Sequence, residues 1–575
     1  MVEEEKTVDR RGFLTGAAVV AAGAVTASIA GCTTPTGSNN EAQNTAGWYK
    51  FLPEKWDDEA DIIIVGYGGS GSMASVWALK AGASVIVLEK APARLGGNLG
   101  QSRGALHDCP DADVEEWADC YVRGSFKCGA SREEIKKFMQ EAVEIPRWLD
   151  ELGIDCVWTP TPHPTGKTWP KYFTEGYVNK GLYMGADLFG EINRVATSLD
   201  VDVRVSMRAK RLIQNPGTKE ILGVVAESEG RDYYYKAKKG VIMACGSYGR
   251  NSEMFYNYNY PGIEPVGGNG GNPNNDGDGF PMVIEVGAKL WHMNNWHSSP
   301  FSFTKPWREE GIAHGVEGGG GAPGPNLSPE PGIPRGPQGH FIVGWHGKRF
   351  LNETYGRAHD SNQKPALAYS TQVAFSKIIT WTEDPAVAQY ADITSDYVHL
   401  PMYRVFDQKY YDASNPMMTD TKDNDEAVAK GWIFKGNTIE ELAAKIEGAR
   451  PSGEMVKGMD PVALRETFER WNEICEEGED TDFLRPSNTL TSLNETGPYY
   501  AAEVMYGMDF CEGGPERNGS SQTISVRDEI IPRLYNTGEF GSYNSLAYVV
   551  GGIVQALTTG KIAAQHAASL DPWDQ

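Results

Sequence analysis

Basic charge is scarce in this 575-residue chain: 53 lysines and arginines face 77 acids, a formal net charge of −24. That balance excludes a protein that lives on polyanions, because nucleic acids are held mainly by cations set against phosphates. Cysteine is scarce too. The eight present form no Cys-x-x-Cys pair and no Cys-x-x-Cys-His, which excludes covalent c-type haem on this chain and leaves no disulfide framework to read. Cys109, Cys120, Cys128 and Cys156 fall in one stretch but lack metal-ligand spacing, so no metal site is expected. The apolar run near the N-terminus is built of Ala, Gly and Val, which bury little area and make a poor membrane span. What remains is an ordinary globular composition, 40% hydrophobic and 10% aromatic, long enough for two or three domains.

That N-terminal run has a pattern of its own. "DRRGFLTGAAVVAAGAVTASIAGC" opens with Arg10-Arg11 and resembles a twin-arginine export signal over residues 1–32. It closes on Ile29-Ala30-Gly31-Cys32, which resembles a bacterial lipoprotein box with Cys32 as the lipidated residue; plain signal cleavage with Cys32 a bystander is the alternative. Export to the outer face of the cytoplasmic membrane, the periplasm or the cell envelope is the expectation. Residues 33–57 read as a flexible tether.

"DIIIVGYGGSGSMASVWALKAGASVIVLEK" follows. A short apolar strand, Ile62 to Val65, leads into Gly66-Tyr67-Gly68-Gly69-Ser70-Gly71, then a helix-compatible stretch, a second strand from Ser84 to Leu88, and Glu89-Lys90. The first glycine permits the tight turn, the second lets backbone approach a pyrophosphate, and the third lets the helix pack on the strand. The helix N-terminus offers free N–H groups to the anion, and Glu89 is placed to accept from ribose hydroxyls. Strand, turn, helix, strand and terminal acid in this order predict a Rossmann-type dinucleotide site. A second such fingerprint, for NAD(P)H, is not seen.

Further segments come in a recognisable order: Gly96-Gly97-Asn98, "GVIMACGSYG" with Gly246, "NNDGDGFPM" with Asp278, "LYNTGEFGS" with Gly538 and Glu539, and Gly551-Gly552 before a final helix. From residue 58 to about 570 the chain resembles the FAD-dependent fumarate reductase, succinate dehydrogenase and 3-ketosteroid dehydrogenase flavoprotein family. The resemblance implies an α/β fold: a discontinuous FAD-binding domain (58–299 and 509–575) split by an inserted α+β capping domain (300–508). It implies FAD held by Gly66, Gly68, Gly69, Ser70, Gly71, Glu89 and Lys90 on the ADP side. Gly96, Gly97, Asn98, Gly246, Asp278, Gly538, Glu539 and Gly551 would line the rest of the cofactor site. The helix behind Gly551 would turn its positive end to the flavin and favour its reduced, anionic form. Twin-arginine export of an already folded chain suits a protein that must take up this cofactor first. Electrons would come from a separate donor, a cytochrome, a flavoprotein or a quinol.

The same resemblance assigns chemistry. "GKRFLNETYGR" (347–357) fits the family's cap segment, with Arg357 in the register of the arginine that protonates one alkene carbon while the flavin N5 passes hydride to the other. The 3-ketosteroid dehydrogenases carry tyrosine near that position, so Arg357 tilts the expectation toward reduction. Arginine's pKa lies above about 12, so it acts as an acid only toward a strongly basic carbanion or enolate, with a relay to refill it. Arg335 matches the relay arginine; the relay acid's register falls on Gly332, with Glu330 close by. Fumarate reductases clamp two carboxylates with two histidines and an arginine, and here those positions read Ser299, Asp509 and Val549. A dicarboxylate facing Asp509 would be repelled. With Phe510 and Tyr548, these residues describe a neutral, partly aromatic pocket for an enone or an aryl acrylate. Asp509 contacts substrate, or is protonated, or turns away. Tyr500 either polarises a substrate carbonyl or packs in the core. The Gly/Pro-rich stretch 301–331 is a lid or an ordered surface excursion. His297, His314, His340 and His359 fall near the cleft by sequence, and Trp291, Trp296, Trp307 and Trp345 read as core and rim. The same-fold alternatives are a ketosteroid desaturase and a fumarate-type dicarboxylate reductase; a non-catalytic electron-carrying flavoprotein is the alternative of another class.

Overall fold

Ile62, Ile63 and Ile64 have no exposed surface at all, although neighbouring side chains in a strand point to opposite faces. Burial on both faces is the mark of a strand inside a parallel sheet. The computed structural model describes residues 52–102, 104, 106–108, 114–124, 129–162, 172–178, 185–258, 272, 274–305, 339–353, 399–414, 416–418, 421–450, 453–543 and 551–574.

The triple-isoleucine strand is β1 (Asp58–Val65), followed by helix α1 (Gly69–Lys80) and strand β2 (Val85–Leu88). Helix α2 (Gly185–Ser198) leads to β3 (Asp202–Arg204), which pairs parallel to β2. Strands β4 (Arg208–Gln214) and β5 (Ile221–Ser228) form an antiparallel flap that joins β6 (Arg231–Met243). The lower half of β6 then runs parallel to β1, from Ile62 opposite Gly240 to Val65 opposite Met243.

A second, five-stranded antiparallel sheet is made by β7 (Trp296–Phe303), β8 (His340–Gly344), β9 (Met402–Asp407), β10 (Ile433–Gly436) and, after helix α3 (Pro461–Glu477), β11 (Tyr499–Cys511). All six residues of β9 are buried, so this sheet is covered on both faces. Helix α3 starts where Asp460 accepts from the N–H groups of Val462 (2.9 Å) and Ala463 (3.2 Å), with Pro461 in the first turn. It stops at Gly478, φ +72°.

After β11 the chain returns to the first sheet. Strand β12 (Gln522–Ile524) pairs antiparallel with β13 (Ile530–Asn536), and β13 pairs parallel with β6, Leu534 opposite Val241. The sheet order is β12-β13-β6-β1-β2-β3, with five parallel strands from β13 to β3. Helix α4 (Gly552–Ala568) lies against α1, close enough that a Cβ on Gly560 would sit 2.5 Å from the Ser70 carbonyl. The α/β architecture matches the expectation, and from Pro53 onward the chain is one compact unit. The expected boundaries at 299/300 and 508/509 fall inside β7 and β11, so the second sheet runs from Trp296 to Cys511. Among the described residues no helix is long and apolar enough to cross a membrane.

Candidate active site

Parallel strands end on the same edge, and here four of those ends carry the residues singled out from the sequence. Gly66 follows β1, Glu89-Lys90 follow β2, Gly246 lies just beyond β6, and Gly538-Glu539 lie just beyond β13. The chain winds one way from β1 through β2 to β3, and the other way to β6 and β13. A ligand crevice opens where such a sheet reverses its order, outside the carboxyl ends of the strands.

Steric detail at this edge fits a dinucleotide. Gly66 has φ +98°, and a Cβ there would lie 2.5 Å from the Ala244 carbonyl; a Cβ on Gly71 would lie 2.0 Å from the Gly66 carbonyl. These two glycines are required by the protein itself. Gly68 is different: its φ of −83° suits any residue, and its Cβ would meet nothing closer than 3.6 Å. A Cβ there would make only ordinary contacts with Gly96 and Gly97, so the fold itself does not demand a glycine at this position. Gly68 caps α1 and Gly551 caps α4, neither helix with a side-chain cap. By contrast α3 and the helix at Arg132–Ala142 have their first N–H groups satisfied by Asp460 and Ser131. The α1 N-terminus is therefore left to receive an anion. Beside Gly246, the buried Ser247 Oγ and Asn275 Nδ2 have no hydrogen-bond partner among the described residues, again as expected of a wall that meets a polar ligand.

Glu89 accepts from the N–H groups of Tyr67 and Ala91, both at 2.7 Å, which ties the glycine turn to the end of β2. Each carboxylate oxygen keeps a second lone pair for a ribose hydroxyl. Gly68 and Gly96 form a parallel bridge, so the two glycine-rich segments touch. Asn98 Nδ2 donates to Glu539 Oε2 at 2.6 Å, and Asn98 Oδ1 accepts from the Asn272 N–H at 2.5 Å. Lys90 pairs with Asp276 (2.6 Å) and Asp278 (3.0 Å), and Arg208 with both acids. Burial raises the Asp278 carboxyl despite Lys90, while Asp276, also desolvated, is held low by Lys90 and Arg208. Lys90 and Asp278 thus meet each other in an ion pair on this edge. FAD would be held by the Gly66–Gly71 turn and α1 at its diphosphate, Glu89 at a ribose, and Gly96-Gly97-Asn98, Gly538-Glu539 and Gly551 along its remaining length.

One fully buried cation had no sequence signal. Arg517 lies inside the polar, glycine-rich string "GGPERNG". It is 1% exposed, and donates to the Gly538 carbonyl from both Nη atoms (3.1 Å each), to the Asn536 carbonyl (3.3 Å) and to Gln555 Oε1 (3.3 Å).

On the second sheet, "GKRFLNE" is explained by a buried ion cluster. Arg349 Nε donates to Glu353 Oε1 (2.8 Å) and its Nη2 to Asp480 Oδ2 (2.9 Å); Arg485 Nη1 reaches Glu353 Oε2 (3.3 Å). Trp471 has both guanidinium carbons 4.7 Å from its ring centroid. Burial works against each charge, but the two arginines outweigh it at Glu353 and hold that carboxyl low, and the acids hold Arg349 high. Glu353 also accepts from the Ile342 N–H of β8, so the segment is riveted to the sheet four residues before Arg357. Alongside, the Lys348 N–H donates to His346 Nδ1, which leaves the His346 Nε2–H to donate to His399 Nδ1 at 2.8 Å. His399 stacks on Phe350, and burial, with His346 beside it, depresses its pKa to about 3.

Ser299 lies opposite Gly507 in the β7–β11 pair. Asp509 is the residue that the register skips, between His297 opposite Phe510 and Ser298 opposite Met508. A bulge of this kind bends a strand and re-aims its neighbours, commonly beside active sites. Phe510 is half-buried, and a Cβ on Gly552 would lie 3.6 Å from its ring, so β11 delivers this bulge to the start of α4. Tyr500 is 1% exposed, stacked on Phe406 and Tyr411, and its hydroxyl donates to Gln408 Oε1 at 2.6 Å. Of its two readings, this is the packing one. Arg335, Arg357, Tyr548 and Val549 lie outside the described residues, as do Cys109 and Cys128, His314 and His359, and most of the 301–331 stretch. Among the described residues no group of three or more His, Cys, Asp or Glu is placed to hold a metal.

A model of a family described as an FAD binding domain matches residues 61–553. The chain belongs to that family. It is an FAD-dependent oxidoreductase of the class that acts on CH–CH groups. Among its relatives is a digoxin reductase of Eggerthella lenta, 25% identical over 609 residues and covering 99% of this chain and 98% of the relative. A fumarate reductase (cytochrome) of Shewanella frigidimarina is 24% identical over 89% of this chain and 77% of its own length. Among solved structures, the 3-ketosteroid delta1-dehydrogenase from Sterolibacterium denitrificans has the same fold, with a TM-score of 0.67, 18% identity, and coverage of 89% of this chain and 99% of that one.

Proposed function

We propose that this oxidoreductase is an exported reductase of an activated carbon–carbon double bond, of enone or acrylate type, and not of fumarate. The observation that carries the reading is the β7–β11 register: the two positions that would hold carboxylate-binding histidines are Ser299 and the bulged Asp509, next to Phe510 at the start of α4. With Val549 at the third position, the cations that a small diacid needs are missing from all three, and Asp509 adds repulsion. A neutral or aromatic acceptor meets no such penalty.

FAD held by the Gly66–Gly71 turn, Glu89 and Gly538-Glu539 would supply the hydride for one carbon of the double bond. Arg357 supplies the proton to the other, so that two electrons and two hydrogens saturate the bond. A guanidinium gives up its proton only as strongly basic carbanion character develops beside it, which restricts the acceptor to alkenes polarised by a carbonyl or carboxyl group. The buried cluster of Arg349, Glu353, Asp480 and Arg485 anchors the chain up to Glu353, four positions before Arg357 in the sequence. Arg335 re-protonates it. Electrons arrive from a separate cytochrome, flavoprotein or quinol, and twin-arginine export with a lipid on Cys32 keeps the protein at the membrane's outer face.

The experiment is Arg357→Ala, assayed by reoxidation of the reduced protein. The variant keeps its FAD and loses reoxidation by an enone about 100-fold or more, the usual contribution of a general acid. An unchanged rate overturns the assignment of Arg357.

A further inference from the structure

Arg517 stands out because burying a cation without a counter-ion is strongly unfavourable. Its partners are two backbone carbonyls, the Gln555 amide oxygen and the face of Tyr543, 4.6 Å from the guanidinium carbon. No carboxylate among the described residues pairs with it, and although burial lowers its pKa, arginine starts so high that it remains a cation. Such a charge is retained where something negative is present part of the time.

Its surroundings identify that partner. The carbonyl it grips most closely is that of Gly538, where a Cβ would lie 3.0 Å from Ser70 Oγ in the first turn of α1; the next residue, Glu539, is bonded to Asn98. Gln555 lies in the first turn of α4, whose N-terminus also presents positive partial charge. Two sources of positive potential therefore converge on the edge that holds the cofactor.

We infer that Arg517 is a positioning residue that acts on the cofactor electrostatically. It fixes the Gly538-Glu539 turn and supplies a buried, permanent positive charge that favours the reduced, anionic state of bound FAD. The inference rests on FAD binding and not on the identity of the acceptor.

Gln555 offers a test that leaves Arg517 in place. Gln555 Oε1 accepts from Arg517, from Ser542 Oγ (3.0 Å) and from the Tyr543 N–H (2.9 Å), while Nε2 has no partner among the described residues. Gln555→Glu therefore keeps all three hydrogen bonds and neutralises the arginine. The measurement is the FAD reduction potential by dye equilibration, with FAD content read by absorbance, in the wild type, Gln555→Glu, Arg517→Met and Arg517→Lys. The expected result is a tenfold loss of preference for the reduced cofactor in Gln555→Glu and Arg517→Met, a fall of about 30 mV for a two-electron couple. Arg517→Lys restores most of it. Should Arg517→Met fail to fold, Gln555→Glu decides alone. A wild-type potential in Gln555→Glu overturns the inference, and so does loss of FAD from that variant in both redox states, which would leave the arginine a binding group only.

Discussion

Asn98 and Glu539, separated by 441 positions in the chain, share a 2.6 Å hydrogen bond in which the amide donates and the carboxylate accepts. That bond joins the second glycine-rich segment to the end of β13, on the edge proposed to hold FAD. Asn98→Asp sets two carboxylates against each other at the same place. The expected outcome is at least tenfold weaker FAD retention on dilution, measured by flavin fluorescence, with Asn98→Gln less affected because it keeps the donor.

Gly68 and Gly71 separate what the fold needs from what the cofactor needs. Gly71→Ala drives a methyl to 2.0 Å from the Gly66 carbonyl and should prevent the α1–β1 packing, giving little soluble protein. Gly68→Ala meets only ordinary contacts. It should fold with nearly wild-type thermal stability as apoprotein while binding FAD weakly, which apoprotein reconstitution titrated with FAD would measure.

Removing one member of the buried ion cluster leaves its partners charged and desolvated. Glu353→Ala takes away the carboxylate that Arg485 pairs with and leaves Arg349 only Asp480. Such losses amount to about 3–5 kcal/mol, so the variant should unfold well below the wild type in a thermal scan. The same change abolishes the link to β8 and is expected to lower turnover before it lowers FAD content.

His399 sets a pH dependence. Its pKa falls to about 3 in the folded chain because burial, reinforced by His346, disfavours the imidazolium; unfolded, it returns to about 6.5. A folded pKa below the unfolded one means that the unfolded chain binds the proton first. Stability from this neutral histidine is therefore complete above pH ~6.5 and declines from there toward pH ~3, by at most about 1.4 kcal/mol per pH unit. Between pH 7 and pH 5, His399→Gln should lose less thermal stability than the wild type.

How much of the fold and the site was legible in the sequence follows the range of the forces involved. The Gly66–Gly71 turn, Glu89 and the β1-α1-β2 unit depend on local sterics within about thirty residues, and they stand where the sequence puts them. The residues from Gly246 to Gly551 that the family resemblance assigns to FAD carry no signal of their own, because it is strand order and not any local pattern that brings them near the sheet edge. Arg517 and Gln555 gave no sign in the sequence, since a buried arginine leaves no periodicity. Arg349 and Glu353 were read as part of a segment leading to Arg357, while their partners Asp480 and Arg485 lie over a hundred residues away. The expected cap boundaries, 299/300 and 508/509, lie within β7 and β11, because motif positions mark functional residues and strands do not stop at them.

Whether the acceptor is an uncharged or aromatic activated alkene is decided by stopped-flow reoxidation of the anaerobically reduced protein. With a panel of enones, aryl acrylates and dicarboxylates, rapid reoxidation by at least one enone or aryl acrylate and negligible reoxidation by fumarate is the expected result. Rapid reoxidation by fumarate, with enones and acrylates inert, would contradict it.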